Sequence, residues 1–162
     1  MLQKMKNKTF LKILFILYLL ALLFILFLAR GSSGGLYEWK IFSKEHLGMV
    51  NFIPFATIRT FLERLNENTI NADIVVRNIA VNLLMFVPMG AVLPLIFPKR
   101  FDCFWKTVLF VALLVVGIEI LQFITFCGSA DIDDVIFNTV GAMAGYAIFY
   151  FLSKIHQKSS SL

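Results

Sequence analysis

Four stretches of the chain are almost wholly apolar, and polar residues fall at their ends or at a few isolated positions within them. Residues 9–29 are broken only by Lys12, and residues 78–97 carry Asn82, Pro88, Gly90 and Pro94. Residues 105–126 carry Glu119 and Gln122, and residues 134–152 carry Asn138, Gly141 and Gly145. Each run can cross a hydrocarbon layer of about 30 Å at about 1.5 Å per residue. Proline and glycine weaken a soluble helix, but in a membrane span neighbouring groups re-satisfy the backbone. The pattern predicts an all-α integral membrane protein with four transmembrane helices and an extracytoplasmic segment, residues 30–77, between helices one and two. The whole chain, 1–162, reads as a single membrane domain.

The first run follows Lys4, Lys6 and Lys8, as the apolar part of a signal peptide would. That part is only about 7–15 residues in a cleaved signal, and Arg30-Gly31-Ser32 is a poor small-residue cleavage site. An uncleaved helix is the better reading. The segment after it opens with the flexible Gly31-Ser32-Ser33-Gly34-Gly35. Asn51-Phe52-Ile53-Pro54-Phe55 is apolar but too short to span. From 57 to 65, Ile58, Phe61, Leu62 and Leu65 recur at helical spacing, with Arg59, Glu63 and Arg64 between them. This suits a helix lying in the membrane interface, or a small helical cap on the bundle.

Composition and charge sharpen the picture. Hydrophobic residues make up 59% of the chain and charged ones 15%, against about 45–50% and about 25% in soluble domains. The net charge of +5 does not make a nucleic-acid surface, because the basic residues sit at the ends of apolar runs rather than in one patch. Lys4, Lys6, Lys8 and Lys12 fall on the same side as Lys99, Arg100 and Lys106, and as Lys154 and Lys158. The loop 127–133 has no basic residue. The positive-inside rule then places both termini in the cytoplasm. Cys103 and Cys127 fall on opposite sides, so no disulfide is expected between them. No Cys/His spacing suggests structural zinc, and His46 and His156 are isolated. The abundant phenylalanine, 18 residues, reads as lipid-facing surface.

With that orientation the polar residues of the spans collect in the outer half of the bilayer. Arg77 and Asn78 stand at the outer end of the second span, with Asn82 about 6 Å deeper. Glu119 lies roughly 10 Å below the outer boundary of the third span, and Gln122 one turn nearer the surface. Asp131 and Asp134 stand at the mouth of the fourth, with Asn138 a turn below. Asp131, Asp134 and Asn138 share a face if the helix begins near Asp131, as do Glu119 with Gln122 and Asn78 with Asn82. Gly141 and Gly145 form a small-xxx-small pair that permits close helix approach.

Two readings of these residues stay open. Asp131 and Asp134 could cap the helix N-terminus, and Asn82 and Asn138 could be interhelical hydrogen-bond glue. Alternatively, Arg77, Asn78, Asn82, Glu119, Gln122, Asp131, Asp134 and Asn138 form a functional polar cluster. Glu119 favours the latter, since a membrane-embedded carboxylate costs about 3 kcal/mol or more unless paired or protonated. Arg77 is the only plausible nearby cationic partner.

Asn51 to Phe55, then Asn82, Phe86, Pro88 and Gly90, then Glu119-Ile120-Leu121-Gln122, then Asp131 through Gly145, occur in an order and spacing that resembles the VanZ family. The resemblance runs from the first span onward. It implies a multi-pass protein of the bacterial cytoplasmic membrane, in a family that includes a low-level teicoplanin resistance protein. Glu119, Gln122, Asp131, Asp134, Asn138, Gly141 and Gly145 occupy the family's motif positions by this resemblance. Three classes of function compete. A non-enzymatic envelope protein would bind an envelope lipid, a wall precursor or a glycopeptide at the polar layer. An outer-leaflet enzyme would hold a divalent cation with Glu119, Asp131 and Asp134 as hard oxygen ligands, although no nucleophile–base pair is visible. A proton-linked transporter would titrate Glu119, although no polar path runs through the inner halves and no inverted repeat is evident. No organic cofactor is evident, and oligomerisation is left open.

Overall fold

The computed structural model describes residues 2–29, 50–125 and 127–159, with side chains for 8–27, 50–125 and 127–156. The flexible start Gly31 to Gly35, His46 and the end of the third run at Phe126 lie outside the described residues. The chain builds α1 (Leu2–Leu23), which runs on into a π-helical end (Phe24–Ala29). There follow β1 (Val50–Asn51), α2 (Ala56–Asn66), α3 (Ala72–Met85) and α4 (Val87–Ile96). The order closes with α5 (Phe104–Ile124), β2 (Ala130–Asp131) and α6 (Ile132–Ser159). Four stretches are long and apolar enough to cross a membrane: Lys8–Phe27, Ala72–Ile96, Phe104–Ile124 and Ile132–His156. The protein is an all-α integral membrane protein of four spans.

The second span differs from its sequence reading in two ways. It begins at Ala72, so Arg77 and Asn78 lie more than a turn inside the helix rather than at its end. It is also broken: α3 stops at Met85, Phe86 takes φ −100° and ψ −1°, and α4 restarts at Val87. Pro88 explains the break, since its ring opposes the carbonyl four residues back and it offers no N–H. In the first turn of α4 that missing donor costs nothing. Phe86 itself is fully buried. The freed carbonyl of Met85 accepts a hydrogen bond from the Tyr18 hydroxyl at 2.7 Å, so α1 meets the demand that the break creates.

The core lies where α3, α4, α5 and α6 meet, around Phe86, Met89, Leu93, Val111, Val115, Ile118 and Ala142. Among the described residues, Leu22 of α1 and Leu26 of its π-helical end join it as buried residues. The tightest crossing is that of α3 and α4 on α6. A Cβ on Gly141 would strike the Leu83 carbonyl, one on Gly145 the Val87 carbonyl, and one on Gly90 the Ala142 carbonyl. Pairing 83 with 141 and 87 with 145 advances both chains by one turn, so the second and fourth spans run parallel. Cys103 and Cys127, both free thiols, flank opposite ends of α5, a helix of 21 residues.

Candidate functional site: a carboxylate node at the β-bridge end

Two short strands mark one end of the bundle. Val50 and Asn51 pair in parallel with Ala130 and Asp131, joining the segment before α2 to the start of α6. Around this bridge, four carboxylates each reach a different element. Glu119 of α5 is 5% exposed, and among its contacts its Oε2 accepts the Asp131 backbone N–H at 3.2 Å. Asp131 accepts the Asp133 N–H at 2.9 Å, which caps α6. It also accepts from Asn51 Nδ2 at 3.0 Å and from the Thr57 hydroxyl. Asp134, among its contacts, accepts from Asn82 Nδ2 of α3.

Asp133 is the residue that sequence reasoning left out of the cluster. It is 1% exposed, and its carboxylate accepts the backbone N–H groups of Phe55, of Thr57 at 3.0 Å and of Ile58 at 3.4 Å. Those are the orphan donors at the start of α2. The residue at the N-cap position is Phe55, which makes no side-chain cap bond and stands at φ 65°. The carboxylate thus caps α2 from a distant helix. The sequence did carry a signal for this: an amphipathic helix beginning after Pro54-Phe55 has none of Ser, Thr, Asp or Asn at its N-cap, so its cap had to come from elsewhere. Asn51 and Thr57 joined the node through the same contacts.

The remaining predicted residues divide. Asn82 and Glu119 are buried within the node, and Gln122 and Asn138 are buried at 0% and 2% exposure. Gln122 Nε2 donates to the Leu26 carbonyl at 2.9 Å, tying α5 to α1. Gln122 Oε1 and Asn138 Oδ1 have no hydrogen-bond partner among the described residues. Arg77 is exposed and Asn78 is half-buried. Arg77 and Asn82 lie five residues apart in α3, about 140° around the helix, so the two side chains leave it on different faces. Asp131 lies in β2 rather than on α6, so it does not share a helical face with Asp134 and Asn138.

Among the described residues no three His, Cys, Asp or Glu side chains gather as ligands would, and the carboxylates are directed at separate protein donors. What the arrangement does chemically is hold β1, α2, α3 and α5 against the first turn of α6.

Comparison with known proteins places this architecture. The VanZ/LLP1 family matches residues 15–153. Over 117 residues the chain is 32% identical to Protein VanZ of Enterococcus faecium, a stretch that covers 72% of this chain and 62% of that protein. The match therefore spans somewhat less than two thirds of the relative's length. No solved structure gives a significant match. With a family match over most of its length and a relative above 30% identity, the chain belongs to the VanZ/LLP1 family.

Proposed function

We propose that this protein lowers susceptibility to teicoplanin-type glycopeptides from within the bacterial cytoplasmic membrane, by engaging an envelope lipid, a wall precursor or the glycopeptide at the node. Both termini are cytoplasmic in this reading, because Lys99, Arg100, Lys106 and Lys154 lie at the end of the bundle opposite the β-bridge. The node then faces the outer leaflet, where glycopeptides meet their target. Family membership supports the reading, as does the likeness to Protein VanZ.

The observation that carries it is the pair of buried acceptors, Gln122 Oε1 and Asn138 Oδ1, without partners among the described residues. A buried acceptor left unmade costs about 1–3 kcal/mol. A bound group with N–H or O–H donors, such as a peptide amide or a sugar hydroxyl, would relieve that cost. The protein is a binder in this reading, not an enzyme. The test is teicoplanin susceptibility of bacteria expressing the wild type, Glu119→Gln or Asp134→Asn at matched membrane abundance. Loss of protection in both variants is expected; full protection by both at equal abundance would reduce these carboxylates to structural parts.

A further inference from the structure

The turn that Asp133 holds presents a surface that the bundle does not use. Phe52, Ile53 and Phe55 are 80%, 70% and 57% exposed. Ala56 N–H donates to the Ile53 carbonyl at 3.2 Å, closing a turn with Pro54 and Phe55 at its centre. The third position of such a turn favours glycine, yet a phenylalanine occupies it at φ 65° and ψ 11°. A bulky side chain kept in left-handed backbone, and not buried against the protein, is a residue held out for something else.

The N–H groups of the turn are satisfied from within. Ile53 N–H donates to Asn51 Oδ1 at 3.0 Å, and Pro54 has no N–H. Phe55, Thr57 and Ile58 donate to Asp133, and Arg59 donates to the Phe55 carbonyl at 2.9 Å. Every backbone donor from 53 to 59 therefore has its acceptor inside the protein. No N–H group of the turn is then left unpaired, a condition that entry into hydrocarbon imposes. The depth fits too, because the acceptor carboxylate belongs to the first turn of the membrane-length stretch Ile132–His156. Behind the turn, Arg59 pairs with Glu63 at 2.9 Å with both side chains exposed, a charge arrangement suited to head groups.

We infer that Phe52, Ile53 and Phe55 form a wedge that inserts into the acyl boundary of the membrane leaflet at the β-bridge end, with Asp133 fixing its depth. The wedge is a lipid-binding surface and stands independently of any glycopeptide role. It is tested by nitroxide labels at Phe52→Cys and, separately, Ile53→Cys, each in a Cys103→Ser, Cys127→Ser background. The protein is placed in vesicles of phosphatidylcholine and phosphatidylglycerol. Collision with oxygen is compared with collision with a water-soluble nickel chelate. Leu109→Cys, on the exposed face of α5, gives the lipid reference, and Glu67→Cys the aqueous one. The expected result is a shift of both wedge labels toward the Leu109 reference, with oxygen collision raised and nickel collision lowered. Labels as nickel-accessible as Glu67→Cys, or shielded from both reagents as a protein partner or second copy would shield them, would overturn the inference.

Discussion

The two ends of the α3–α4–α6 assembly are held together by different physics. Along the crossing, Gly90, Gly141 and Gly145 let backbone touch backbone, and dispersion between close-packed surfaces holds the contact where lipid offers no hydrophobic drive. At the β-bridge end buried polar side chains lie between the elements. Directed hydrogen bonds accepted by the carboxylates of Glu119, Asp131, Asp133 and Asp134 join them. The crossing tolerates no added atom, while the node tolerates no lost acceptor. A protein that must be rigid in mid-membrane and shaped at one leaflet can divide the work in this way.

Substitutions that add volume at one end and remove oxygen at the other break this comparison most sharply. Gly141→Leu drives a side chain into the Leu83 backbone and should cost about 3 kcal/mol or more. Size-exclusion chromatography in detergent should show little folded protein; an unchanged profile would mean that the crossing is looser than described. Asp133→Ala uncaps α2 and leaves three N–H groups without their acceptor, at an expected cost of about 2 kcal/mol. Thermal unfolding should fall measurably, and hydrogen exchange should rise first at residues 55–58 while the α4–α6 crossing stays protected. Exchange rising equally in both places would erase the distinction between the two ends.

The smallest effect has the opposite sign. Phe55→Gly removes a left-handed strain of about 1 kcal/mol together with a side chain that packs little, so detergent-solubilised protein should unfold slightly later than wild type. A clear loss of stability would mean that the Phe55 ring packs on the protein. Paired with Asp133→Ala, this variant separates the two contributions at one turn, since the carboxylate stabilises it and the ring does not.

At the opposite end of the bundle, Asp102 offers a control. Lys106 hydrogen-bonds to it at 3.0 Å and holds its carboxyl below the usual range. Whatever that pair contributes is present at neutral pH and lost as pH falls through the lowered value. Both partners are more than half exposed, so Asp102→Asn should leave the unfolding temperature at pH 7 within error.

Much of the architecture was legible in the chain itself. Apolar runs of span length leave no alternative in lipid but helices, because each backbone group must be satisfied within its own segment. Local periodicity likewise marked α2, and the spacing of Gly141 and Gly145 marked a close approach. The node was legible only in part. Composition flagged Glu119, Gln122, Asp131, Asp134 and Asn138, because polar groups in apolar runs stand out whatever they touch. Partners were a different matter. The sequence places Arg77 and Asn82 in one span, but five residues of α3 separate them, about 140° around the helix.

What the sequence determined alone is therefore whatever depends on neighbours a few residues apart: the four spans, the charge asymmetry between their ends and the amphipathic face of α2. The fold alone decided that Asp133 caps a helix 75 to 78 residues earlier in the chain, that Asp131 leaves the helix to sit in a bridge, and that Tyr18 satisfies the broken second span. Hydrogen bonds of that kind have no sequence period. Their geometry exists only once packing has fixed where each backbone donor points, and the same short acidic run could have capped only its own helix had the chain between residues 50 and 58 been elsewhere.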